Sequence, residues 1–147
     1  MTLNQYIERR NGVPLGASGA LRNMLERSFG AGTLAGFWQY WNPIFGYYLA
    51  KYVDSPLRRI VPRSVALVLT FVICGTLHDL AAMAVRGSMG FFCTTMFFFF
   101  GVGVLVGRWA GFDFSGLPWP ARAGINFTYI VACFGLALIA RQAFSIH

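Results

Sequence analysis

Apolar positions along the chain gather into long runs with sharp ends. A helix needs about 20 apolar residues to cross the hydrocarbon core of a bilayer, and three runs qualify: 64–85 (SVALVLTFVICGTLHDLAAMAV), 88–107 (SMGFFCTTMFFFFGVGVLVG) and 123–144 (AGINFTYIVACFGLALIARQAF). Each predicts a spanning helix. Pro62 before the first run is a helix-start signal. The second run carries no charge, and Arg141 lies close enough to the end of the third to snorkel to the headgroups.

A fourth stretch, 36–53 (GFWQYWNPIFGYYLAKYV), is hydrophobic but interrupted by Asn42-Pro43 and rich in Trp and Tyr, which favour the membrane interface. If it does not span, ten of the twelve cations share one side of the bilayer, with Arg86 and Arg141 on the other. If it spans, the split becomes six against six, so the positive-inside rule favours the first arrangement. The ring of Pro43 pushes residue 42 out of the α region. One helix therefore ends near Trp41, and a second starts with Asn42 as N-cap and Pro43 at N1, runs to about Val53 and stops at Ser55-Pro56. The expectation is an all-α membrane protein with three transmembrane helices preceded by an interfacial or re-entrant aromatic-rich helix. Residues 1–35 form a polar cytoplasmic arm with one short helix around Leu21–Phe29, and 36–147 form the membrane domain. The N-terminus is cytoplasmic and the C-terminus lies outside.

Composition agrees with a bilayer as the solvent: 56% of residues are apolar, 17% aromatic and only 12% charged, against roughly 25% charged in soluble domains. A soluble enzyme and a disordered chain are both excluded. The net charge of +7 does not point to nucleic acid. Eight of the twelve cations precede the first spanning run and form a basic skirt at a membrane face. Cys74, Cys93 and Cys133 lie inside apolar runs without metal-ligand or disulfide spacing, so no metal site and no bridge is expected. The first 30 residues hold no apolar stretch of signal-peptide length.

Chemistry concentrates at His78 and Asp79, the two ionisable residues deep in a spanning run. Such groups are costly in hydrocarbon and mark functional sites by default. His78 sits on the order of 5 Å from the midplane at 1.5 Å per residue. One turn away on its face stand Cys74, Gly75, Ala81 and Ala82, all small, which leaves room for a substrate or for a neighbouring helix. Asp79 points about 100° around the helix and cannot orient His78 directly. Arg86 or a group on another helix is its expected partner. The structural alternatives are a core histidine bonded to a carbonyl and an aspartate that fixes helix packing.

The segment FWQYWNPIFGYYLAKYVDSPLRR (Phe37 to Arg59), followed by LTFVICGTLHDL (Leu69 to Leu80), resembles the signature region of the membrane-bound O-acyltransferases. There an aromatic FWxxWN or FWxxWH segment precedes a YVYxP-like stretch and then a helix with a buried histidine. The resemblance covers about 45 of 147 residues, with Asn42 and His78 36 positions apart. It implies transfer of an acyl group from acyl-CoA, as co-substrate and with no bound cofactor, to the hydroxyl of a lipid-type acceptor. His78 matches the catalytic histidine and would act as general base; Asn42 matches its polar partner. Trp38, Trp41, Arg58, Arg59, Gly75 and Asp79 follow as substrate-binding candidates. Arg58, Arg59 and Arg63 are placed to meet CoA phosphates, or simply to anchor the cytoplasmic face. Apolar surroundings disfavour imidazolium, leaving the neutral ring that a general base requires.

Three features depart from the family pattern. Leu77 stands where tryptophan often precedes the histidine, Pro43 directly follows Asn42, and the chain is short; capping, besides, offers a complete structural reason for Asn42. Family members are several times longer. Three crossings cannot enclose their tunnel, which implies a short member or C-terminal-type fragment that self-associates or joins a second membrane subunit. Two other functions stay open: a non-catalytic subunit or scaffold built from the family's helices, and a small transporter or proton relay using His78 and Asp79. Asn126-Phe127-Thr128 is a glycosylation sequon near the cytoplasmic end of a spanning helix, where it has no use, and the Gly103/Gly107 spacing either seats a close helix contact or, the favoured reading, is what chance gives in a chain with 17 glycines.

Overall fold

A computed structural model describes residues 1–87 and 90–145, and every regular element among them is helical. Four short helices, α1 (Leu3–Asn11), α2 (Ala20–Phe29), α3 (Leu34–Tyr40) and α4 (Pro43–Leu49), come first. A wide π turn (Ala50–Asp54) then leads into a last turn, α5 (Ser55–Leu57). The long helices α6 (Arg63–Arg86), α7 (Phe92–Trp109) and α8 (Trp119–Ser145) follow, and all three are long and apolar enough to cross a membrane.

Among the spanning helices, the starts of α7 and α8 differ most from the sequence expectation. Ser88 and Met89, at the start of the second apolar run, lie outside the described residues, and α7 begins at Phe92. Helix α8 begins at Trp119, four residues before the run, because Pro120 in its first turn gives up an N–H that has no intrahelical acceptor there.

Helix α7 packs between α6 and α8, and glycines allow the close approach. A Cβ on Gly101 would come within 3.1 Å of Phe71 Cβ on α6, and one on Gly103 would meet the Tyr129 ring of α8 at 2.5 Å. Gly103 thus seats a helix contact, and the spacing read as chance has a packing reason at that position.

The N-terminal segment holds two helices where one was expected. Helix α1 is polar apart from a short stripe of Leu3, Tyr6 and Ile7, and Thr2 and Gln5 close a reciprocal capping box around its first turn. The segment is strapped to the spanning helices. Asn126 of α8, fully buried, donates to the carbonyls of Phe29 and Ala31, and the Trp119 indole donates to that of Glu26. The asparagine of the paper sequon is therefore a clasp, holding the α2–α3 connection on α8.

Helix α4 itself ends at Leu49, short of the expected Val53, yet the chain stays helical beyond the expected stop at Ser55-Pro56. A proline inside an α-helix clashes with the carbonyl four residues back and lacks the N–H to bond it. Just before Pro56 the ladder widens, so that the Ser55 N–H reaches Ala50 O, five residues back, and the chain stays helical to Leu57.

Candidate active site

A cavity of about 230 Å³ opens between α3, α4, α6 and α7. On α6 its wall is the stripe Leu67, Thr70, Phe71, Cys74 and His78, at helical spacing on one face. From Leu67 to His78 that stripe measures about 16 Å at 1.5 Å per residue. Asn42, Trp38 and Trp41 line the same cavity, so the aromatic segment and the histidine meet in space as the sequence resemblance requires.

Asn42 adopts φ 42°, ψ 70°, and is the one non-glycine residue with positive φ among those described. Asparagine tolerates this left-handed region better than most residues, and Pro43 bars the ordinary α conformation. The side-chain Oδ1 accepts from the Phe45 N–H at 3.3 Å. The cap thus starts α4 in a direction that sets the Phe45 ring edge-on to His78, with centroids 5.8 Å apart.

His78 Nδ1 lies 2.7 Å from the carbonyl oxygen of Cys74. A carbonyl only accepts, so Nδ1 carries a proton, and in the neutral form of the ring the lone pair is left on Nε2. This is the tautomer a general base needs. Phe97 of α7 also packs against the ring, with centroids 4.9 Å apart. Beyond these two aromatic neighbours the imidazole is exposed at the protein surface, because the three long helices leave one side of the cavity open.

Trp38 reaches from α3 between α6 and α7, with Phe71 at 5.3 Å and Phe100 at 4.7 Å. Its indole N–H donates to the Tyr129 hydroxyl at 3.1 Å, which donates in turn to Phe100 O at 2.6 Å. Trp41 stacks on the buried Phe37.

Three of the expected substrate-binding residues do not line the cavity. Arg59 is exposed beside it. Gly75 faces α7, where a Cβ would come within 2.6 Å of Cys93 O, so the space its small side leaves is filled by a helix. Asp79 turns both oxygens to the first turn of α7: Oδ1 accepts from the Cys93 N–H at 2.9 Å, and Oδ2 from the Thr94 N–H and hydroxyl, each at 2.7 Å. Its partner is thus neither Arg86 nor a side chain alone, but mainly backbone. Arg58 does line the cavity and pairs with Asp54 of the π turn at 2.8 Å.

Sequence reasoning passed over Tyr6, Gln39 and Arg108, which also line the cavity. Arg108 follows the second apolar run and reads in sequence as a plain membrane anchor. It stands on a wall shared with a second cavity, also about 230 Å³, that reaches Phe112 and Asp113. Outside the spanning segments, Asp113 is held below the usual carboxylate range by the hydroxyl and then the backbone N–H of Ser115.

Residues 21–100 match the membrane bound O-acyl transferase family. The chain belongs to that family. The match spans α2 through the first half of α7 and includes Asn42 and His78, while Arg108, Tyr129 and all of α8 lie beyond it. No curated protein and no solved structure matches this O-acyl transferase family member.

Proposed function

We propose that the chain transfers an acyl group from acyl-CoA to the hydroxyl of a lipid-type acceptor, with His78 as general base. The observation that carries this reading is the convergence of His78, its Nδ1 bonded to the Cys74 carbonyl, with Asn42 on one largely apolar cavity of a family member. The acceptor oxygen attacks the thioester carbonyl carbon while its proton passes to Nε2. The carbon–sulfur bond then breaks, and the proton moves on to the departing CoA sulfur, giving an ester and a free thiol. General-base assistance of this kind contributes roughly 10²- to 10⁴-fold. Asn42 shapes the site by starting α4 and lends its amide to the reacting groups. Arg58, at the end of the cavity away from His78, meets the donor's phosphates in exchange for Asp54. The acyl chain lies along the α6 stripe, where each buried methylene is worth about 0.8 kcal/mol. The N-terminus faces the cytoplasm, and the aromatic helices α3 and α4 lie in the interface. The open side of the cavity is closed by a second copy or another membrane subunit.

The test is transfer of a labelled acyl group from acyl-CoA in membranes holding wild type or His78→Ala at equal expression. Loss of labelled ester in the variant is the expected result; equal labelling in both rejects the reading. One observation favours a scaffold role instead: His78 and Asn42 are both exposed on the protein itself. In that case the purified chain turns over no acyl-CoA alone and copurifies with a distinct catalytic partner.

A further inference from the structure

Asp79 is buried to 5% exposure, follows His78 directly in the chain, and turns away from the cavity. Its three hydrogen bonds all go to Cys93 and Thr94 in the first turn of α7. An anion at a helix N-terminus satisfies N–H groups that have no intrahelical acceptor and complements the positive end of the dipole. A carboxylate with this set of bonds therefore fixes where α7 begins along α6. Two neighbours seal the same junction. Gly75, one turn before Asp79, lets the α7 backbone come so close that a Cβ would stand 2.7 Å from Thr94 Cα, and the Thr76 hydroxyl lies 3.2 Å from that of Thr94.

Phe97 comes three residues after Thr94, one turn further along α7, and its ring lies 4.9 Å from that of His78. A slip of α7 by a single residue moves Phe97 by 1.5 Å and about 100° and removes it from the imidazole. We infer that Asp79 is a positioning residue: by latching the first turn of α7 to α6 it sets Phe97 against His78 and so holds the imidazole in its working orientation. This rests on the acyl-transfer reading only for its kinetic consequence. The orientation itself can be measured without turnover.

The chain has two histidines, so His147→Asn leaves His78 as the one imidazole. Diethyl pyrocarbonate acylates unprotonated imidazole nitrogen, and the ultraviolet absorbance of the adduct gives the rate at His78 in the full chain in membranes. Asp79→Asn, which weakens the latch, and Gly75→Ala, which wedges it open without touching a charge, are both expected to raise that rate several-fold by withdrawing Phe97. Both are expected to lower kcat for acyl transfer by about 10- to 100-fold, the cost of misplacing a reacting group by an ångström or so. KM for acyl-CoA should stay within about twofold, because the donor's contacts are intact. Thr128→Val, exposed on α8, should change neither. An unchanged modification rate in the folded Gly75→Ala protein overturns the inference, even if Asp79→Asn does not fold. Should wild type transfer no acyl group while the rate still responds, the latch stands and the acyl-transfer reading falls. Should transfer depend on His78 while the rate does not respond, the reverse holds.

Discussion

The two faces of α6 treat adjacent polar residues in opposite ways. On the face toward α7, Asp79 accepts three hydrogen bonds and is closed in by Gly75 and Thr94. On the cavity face, His78 uses one nitrogen on its own helix and leaves the other free beside an opening. Polar groups are expensive in hydrocarbon wherever they stand. The group whose bonds are all made inside the protein serves the packing, and the group with one valence left over is available for chemistry. The comparison also separates stability from activity, since each face should fail in its own way.

The largest loss of stability is expected at the sealed face. Asp79→Ala strands two backbone N–H groups, each worth about 1–3 kcal/mol when buried without a partner, and leaves the Thr94 hydroxyl with Thr76 alone. Denaturant unfolding in detergent micelles should show a loss on the order of 3 kcal/mol or more; a change under about 1 kcal/mol would mean that the latch carries little. Next comes Asn126→Ala, which frees the carbonyls of Phe29 and Ala31 from α8, at a cost of about 2 kcal/mol. Limited proteolysis should then cut the α2–α3 connection faster than in wild type. Tyr129→Phe removes the hydroxyl between Trp38 and Phe100 and should cost about 1 kcal/mol, together with a change in tryptophan emission that disappears in a Trp38→Phe background. The smallest change in stability, within about 1 kcal/mol, belongs to His78→Ala, because no buried donor is stranded by it. If this variant unfolds as readily as Asp79→Ala, the two faces do not divide as described.

Much of the architecture was readable from the order of residues, and the parts that were not share a cause. Three apolar runs of membrane length gave α6, α7 and α8, and Asn42-Pro43 gave the break between α3 and α4, because hydropathy and proline sterics act locally. The meeting of the aromatic segment with His78 at one cavity also followed the sequence resemblance. The fate of Asp79 did not, since its partners are mostly backbone N–H groups, which every residue but proline offers and no motif marks. Asn126 was passed over for the same reason: its acceptors are carbonyls 97 and 95 positions away. Helix α1 carried its signal in Thr2 and Gln5, three apart, and in an apolar period of only three residues, Leu3, Tyr6 and Ile7.

The wide turn at Ala50–Asp54 has a consequence for length variation in this stretch. A π turn is one residue more than an α-helix needs. Removing that residue would restore ordinary winding and swing everything after it by about 100°. Asp54 and Arg58 would leave the rim together, and the Pro56 ring would press on the carbonyl behind it. At this point the number of residues matters more than their identity, and a single-codon deletion should do more harm than any one replacement among the five.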